Sequence, residues 1–278
     1  MTTKLKCLFF ALSLYSTSVA LSAVPAKAEA PVAADTSTVA AMGAIEADEL
    51  AKKLSNPVSS LISVPFQLNF DDGYAGGGSR WTMNIQPVAP FSLNAKWNVI
   101  SRTILPVITQ GGNKRNSGLG DIVQSFFFSP KAPTGSGWIW GAGPVFLAPT
   151  GADAFTVDQW GIGPTAVALK QVGPWTYGAL VNHIWGSGDT RPDVNATFLQ
   201  PFVAKALGQG VTLTANLEST YDWTGEQWTI PLNVLASKVT KLGSTMVSVF
   251  GGARVYLDAP DGGPDWGLRM GLTLLYPK

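Results

Sequence analysis

The chain has one cysteine, one histidine and few charges, and each scarcity removes a class of function. Cys7 stands at the front of an apolar N-terminal stretch, where it is neither a lipid-attachment site nor a disulfide partner. A mature chain that starts after that stretch has no thiol for redox chemistry or for soft metals. A lone histidine, His183, cannot build a multi-histidine metal site, so no metal and no cofactor is expected. Charged residues are 13% of the chain, about half the share usual in soluble domains. The formal net charge of +1 lacks the clustered basic surface that nucleic acid requires, and no nucleic-acid partner is expected. Beyond residue 28 no apolar run reaches the ~18 residues that a helical membrane span needs. If the chain crosses a bilayer, only a closed barrel can satisfy its backbone there.

The N-terminus reads as an export signal. Lys4 and Lys6 form a cationic start, Leu8 to Ala20 is apolar, and Ala26-Lys27-Ala28 supplies a small-x-small cleavage pattern. Residues 1–28 are therefore expected to be a cleaved signal peptide, with the mature chain starting near Glu29. Residues 29–57 are Ala-rich and acidic, and Asp48 and Glu49 precede Lys52 and Lys53 by four positions, a spacing that supports a helix. A short helix from about Val39 to Leu54 is expected, stopped by Asn56-Pro57. It can plug a barrel, sit in the periplasm or be a frayed linker, since isolated helices this short are marginal.

From Val58 the period changes to two. In Ile62-Ser63-Val64-Pro65-Phe66-Gln67-Leu68-Asn69-Phe70 every even residue is apolar and the odd set is Ser, Pro, Gln and Asn. The alternation returns at Trp81 to Gln86, Leu213 to Glu218 and Trp266 to Leu274. Strands are expected near residues 59–70, 80–91, 94–107, 118–131, 137–149, 159–172, 174–186, 195–207, 211–222, 227–240, 243–257 and 264–276. The even-numbered connections are tight, and the odd ones are mostly longer and rich in Gly, Asn and Asp. A soluble sandwich has no reason for that asymmetry, whereas outer-membrane barrels show it. The expected fold is all-β, an antiparallel transmembrane barrel of about twelve strands over residues 58–278, after a short N-terminal helix.

Following the strands up and down puts Trp81, Trp160, Trp185, Trp223, Trp228 and Trp266 at the long-loop ends. Trp97, Trp138, Trp140 and Trp175 fall toward the short-turn ends, beside Tyr276. Indole rings collect at membrane interfaces because the ring is apolar and its N–H seeks water. The implied location is the outer membrane of a diderm bacterium, with outer-membrane lipids, periplasmic chaperones and the barrel-assembly machinery as partners.

No catalytic constellation is legible. His183 lacks a recognisable nucleophile and orienting group, and Asn182 beside it points to the opposite face of a strand. The stretches Gly76-Gly77-Gly78 and Gly141-Ala142-Gly143-Pro144 resemble phosphate loops in composition only. On the polar parity stand Lys96, Arg102, Asp121, Glu218, Asp222, Arg254 and Arg269, which are costly toward lipid and are assigned to the lumen. Arg254 and Arg269 can form a cationic stripe that guides anions. Alternatively they pair with Glu218, Asp222 and Asp121 to fill a narrow interior, the better supported of the two.

The segment from Ala51 to Gln67, Gly118-Leu119-Gly120-Asp121, Gly143 to Thr150 and Phe198-Leu199-Gln200-Pro201-Phe202 resemble a family of outer-membrane transporters often mislabelled neuromedin U, itself similar to the phenol-degradation MetA-type barrels. The likeness covers nearly the whole mature chain. It implies a barrel and a role in uptake of hydrophobic or aromatic compounds, with no carried-over site residues. The expected function is a passive channel or transporter for a small-molecule solute rather than an enzyme. A structural or adhesive barrel with a sealed lumen is the alternative, and an outer-membrane lipase is the weakest reading.

Overall fold

The computed structural model describes residues 36–112, 115–188 and 192–277, with side chains from residue 43 onward. The expected signal peptide and its cleavage site lie outside the described residues. Helix α1 (Thr36–Leu54) is followed by sixteen strand segments that four short interruptions divide among twelve strands. These are β1 (Ile62–Asp72), β2 (Arg80–Ile85 with Val88–Ser92), β3 (Trp97–Gln110), β4 (Asn116–Leu119 with Ile122–Pro130), β5 (Trp138–Ala148) and β6 (Gly161–Val172). They continue as β7 (Trp175–Gly186), β8 (Val194–Gly208), β9 (Val211–Leu217 with Ser219–Asp222), β10 (Gln227–Thr229 with Pro231–Leu242), β11 (Thr245–Tyr256) and β12 (Trp266–Tyr276).

Each strand pairs antiparallel with its neighbours in sequence, and the first pairs with the last, from Ile62 opposite Tyr276 to Asp72 opposite Trp266. The sheet therefore closes on itself and leaves no edge. The fold is all-β, a twelve-stranded antiparallel barrel with one short N-terminal helix. Tight connections such as 173–174, 209–210 and 243–244 lie at one end, and 73–79, 149–160 and 257–265 lie at the other.

Two expected strand starts move for a local reason. The carboxamide oxygen of Asn94 accepts the backbone N–H groups of Lys96 and Trp97, at 2.8 and 3.0 Å, so β3 begins at 97 rather than 94. Asn56 does the same for Val58, at 3.0 Å, which delays β1 to Ile62.

Parity sorts the faces. Along β1 the odd residues Ser63, Asn69 and Asp71 are buried. Along β12 the even residues Trp266, Leu268, Met270 and Tyr276 are exposed while Arg269, Thr273 and Leu275 are buried. An apolar exposed face and a buried polar one mean that the polar set points inward. Outward polar groups that depart from this rule pair with one another, as where Thr103 donates to Gln124 at 2.5 Å and Gln124 donates to Ser101 at 3.0 Å. The three satisfy one another without water, which a polar group on an apolar face requires.

Strand backbones approach closely where β4, β5, β6 and β7 pair. A Cβ on Gly143 would fall 2.1 Å from the Phe126 carbonyl oxygen, and one on Gly163 would fall 1.7 Å from that of His183. Only glycine permits those approaches, and the ladder pairing is interrupted beside both, without a shift of register, where Pro144 faces Pro164.

Helix α1 closes the short-turn end of the interior. Its Ala47, Leu50 and Ala51 are buried against Leu61, Val239, Met246 and Leu275, inward-facing residues at that end. Asp48 accepts the Gly210 N–H at 2.5 Å and the Lys52 carbonyl accepts Gln171 Nε2–H at 2.9 Å, tying both flanks of the helix to the wall. The apolar stripe of a marginal helix is thus held by tertiary packing rather than by propensity.

Candidate functional site

The interior has two unlike walls. On β3 to β7 the inward positions are mostly apolar, with Ser125, Ser129, Thr165, Thr176 and Arg102 the polar exceptions: Ile100, Phe127, Val167, Leu169 and Leu180 form one buried cluster with Val58, and Val145, Leu147 and Ile184 form another. On β8 to β12 and β1 many of them are polar, with Thr212, Asn216, Asn233, Ser248, Thr273 and Asn69 buried, beside apolar residues such as Phe202, Val239, Phe250 and Leu275. A uniformly wet lumen, as alternation alone implies, is therefore only half correct. In strands such as β5 and β6 small residues and prolines occupy much of the outward face, so hydrophobicity alone mislabels the side.

The polar wall carries an ionic belt near the long-loop half. Arg269 donates from Nη1 and Nη2 to the two oxygens of Glu218, at 2.7 and 2.6 Å, and from Nε to Asn69 Oδ1 at 2.7 Å. This fork uses the guanidinium geometry fully and fixes Glu218 in place. Arg254 stands 3.4 Å from Asp71 and 3.8 Å from Glu218. Asp71 also accepts the Tyr256 hydroxyl at 2.9 Å, and the Arg254 guanidinium lies 5.1 Å from the centre of the Tyr256 ring. Arg254 and Arg269 sit one diagonal step apart, since Arg254 faces Gly267 and Arg269 faces Gly252.

Arg102 also points inward, from β3. Its Nη2 donates to Gln86 Oε1 at 2.9 Å, and no carboxylate lies within salt-bridge distance among the described residues. Between it, the belt and helix α1 lies a cavity of about 310 Å³, lined by Gln67, Gln86, Gln200 and Asn216 as well as Leu180, Phe202 and Phe250. The Leu54 to Pro57 segment bounds it on the helix side.

Four of the seven expected lumen residues, Arg102, Glu218, Arg254 and Arg269, thus share one interior. The other three do not. Lys96 is exposed in the turn that Asn94 organises. Asp121 accepts the Gly151 and Val157 N–H groups at 2.9 and 2.7 Å and folds the 149–160 loop. Asp222 accepts from Thr224 and Gly225, at 2.9 and 3.2 Å, in the turn after β9. Short carboxylates beside glycine-bearing loops find backbone donors before they find a lumen. The arginines accordingly pair with Glu218 and Asp71, not with Asp121 or Asp222. Asp71 was missed because β1 runs two residues past its expected end; its odd parity, shared with Asn69, was the available signal.

The aromatic residues stand at strand ends. Trp81, Trp160, Trp185, Trp223, Trp228 and Trp266 are exposed at the long-loop end, and the Phe70 ring lies 4.6 Å from Trp81 and 5.9 Å from Trp266. At the other end Trp138, Trp140, Trp175 and Tyr276 are exposed and Trp97, partly covered, packs edge-on against Trp140 at 5.8 Å. Lys170 and Lys205 sit over Trp138 and Trp175, at 5.2 and 5.1 Å. His183 faces outward beneath Trp185, with Nδ1 2.7 Å from the Thr197 hydroxyl, itself an acceptor from Trp223 Nε1–H at 2.8 Å. Among the described residues its Nε2 is buried with no hydrogen-bond partner, so no nucleophile meets the ring there as an acyl-transfer triad requires.

No protein-family model and no curated protein matches the sequence. The fold does have solved counterparts: the crystal structure of an outer membrane channel from Pseudomonas putida F1 aligns with a TM-score of 0.59 over 78% of this chain and 94% of that one, at 17% sequence identity. At that identity the likeness establishes the barrel fold the two chains share.

Proposed function

We propose that the chain is an outer-membrane channel that passes small solutes, hydrophobic or aromatic ones included, and that it reaches the membrane through a cleaved signal peptide, the periplasmic chaperones and the barrel-assembly machinery. One observation carries this reading: a closed barrel has an apolar outside, tryptophans at both strand ends and a cavity inside. An apolar band between aromatic girdles matches the hydrocarbon layer and its two interfaces, where outer-membrane lipids would surround it. The counterpart from Pseudomonas putida F1 is an outer membrane channel, and the resemblance to outer-membrane transporters and MetA-type barrels agrees in direction.

The second reading is a structural or adhesive barrel with a sealed lumen, and the ionic belt together with helix α1 speaks for it. Purified protein in planar bilayers separates the two. Discrete conductance steps support the channel; silence over many insertions of heat-modifiable, folded protein supports the sealed barrel.

A further inference from the structure

The belt is balanced among its own members, but Arg102 is not. Arg254 and Arg269 share Glu218 and Asp71, two cations against two carboxylates. Arg102 has a neutral amide as its hydrogen-bond partner. A guanidinium carries five N–H donors, so most of those of Arg102 are left for whatever enters the cavity. Glu218 acts on Arg102 through space but is already engaged by Arg254 and Arg269, so three guanidinium groups face two carboxylates; the excess cation is costly inside a barrel, and an anion supplied from outside offsets that cost.

The rest of the cavity is shaped for more than an inorganic ion. Leu180, Phe202 and Phe250 present apolar surface to the same space that Arg102 and the glutamines reach. Phe250 can lie along the wall because Gly271 opposite has no side chain: a Cβ there would fall 2.4 Å from Phe250 Cζ. At about 310 Å³ the cavity is at the small end of the range for small-molecule sites, which combine an apolar lining with a few fixed polar groups.

We infer that this cavity binds small amphipathic carboxylates of about the size of a substituted benzoate, the carboxylate held in the Arg102 fork and the ring against Leu180, Phe202 and Phe250. A planar carboxylate matches the guanidinium bidentately, and an aromatic ring gains from the apolar wall that a bare anion cannot use. This proposal rests on the channel reading and names the solute class for the same lumen.

The test is isothermal titration of the full chain, folded in detergent, with benzoate, benzamide and acetate. Benzoate is expected to bind at least tenfold more tightly than either analogue, and Arg102→Gln to weaken benzoate at least tenfold while leaving benzamide unchanged. Phe250→Ala should weaken benzoate and leave acetate alone, and this variant stands in if Arg102→Gln does not fold. Arg102→Lys, which keeps the charge and loses the fork, should fall between wild type and Arg102→Gln. Equal affinity for benzoate and benzamide, equal affinity for benzoate and acetate, or benzoate binding indifferent to both Arg102→Gln and Phe250→Ala overturns the inference. Conductance measured on the same preparation keeps the two readings apart: conductance without benzoate binding sinks the site alone, and benzoate binding without conductance sinks the channel.

Discussion

Replacing Glu218 with Gln removes one charge from the centre of the belt and changes almost nothing in shape. In the wild type both Glu218 oxygens accept from Arg269, at 2.7 and 2.6 Å, and Arg254 stands 3.8 Å away. The Arg269 side chain is 3% exposed and that of Glu218 20%, so solvent screens the pair weakly. Two unit charges about 4 Å apart at an effective dielectric constant of ~20 attract by about 4 kcal/mol. The amide keeps one acceptor oxygen for Arg269 but turns an NH₂ toward the other arm of the fork, leaving a buried guanidinium short of a partner. Loss of one member of a buried pair typically costs about 3 to 5 kcal/mol, and the retained bond puts the expected loss near the lower figure. Urea titration of the folded barrel in detergent, followed by tryptophan fluorescence, reads this directly. The control is Lys241→Ala, which breaks the 3.5 Å pair with Glu46 whose side chains are 60% and 49% exposed; it should cost under about 1 kcal/mol. If Glu218→Gln costs no more than the control, the belt is not a stabilising network and the reasoning fails.

Four further outcomes are expected. Leu68→Arg and Leu213→Arg, on the outward face, should each cost about 2 to 4 kcal/mol of barrel stability, whereas Gln67→Arg, which faces the cavity, should cost much less; similar losses by urea titration would show the faces to be misassigned. Asn69 is not a harmless inward site, because it accepts Arg269 Nε–H and is buried, so Asn69→Arg should rank with the outward arginines in the same titration. Arg254→Glu with Arg269→Glu should swing the reversal potential across a salt gradient toward cations if the lumen conducts, and an unchanged potential together with a marked stability loss would leave both arginines purely structural. Leu50→Glu, which puts a charge into the buried seat of helix α1, should free the helix for limited proteolysis and raise conductance, while the barrel stays heat-modifiable on gels.

Much of this protein is local in origin and so can be read along the chain. The period of two in Ile62 to Phe70, the turn chemistry of Gly173-Pro174 and Gly208-Gln209-Gly210, and the tryptophans near strand ends all follow from neighbours within a few residues. Twelve strands, their order and the helix before them were legible for that reason. Parity also carried Arg102, Glu218, Arg254 and Arg269 to the inside, since a strand sends alternate side chains to opposite faces whatever it pairs with.

What parity cannot supply is the partner across the barrel. Glu218 meets Arg269 across the interior, three strands away around the wall, and the closure of β12 on β1 adds Asn69 and Asp71 beside them, contacts between positions far apart in sequence. The competing claim of loop backbone N–H groups on Asp121 and Asp222 is likewise a matter of how the 149–160 and 223–226 segments fold back. The apolar half of the lumen, seated against Val58, and the burial of Ala47, Leu50 and Ala51 on Leu61, Val239, Met246 and Leu275 arise from closure in the same way. Composition and period determined that this chain forms a barrel with a greasy outside. Ring closure decided which inward charges are paired and left Arg102 facing the cavity with a single amide, because pairing in a lumen depends on distance across the ring and not on distance along the strand.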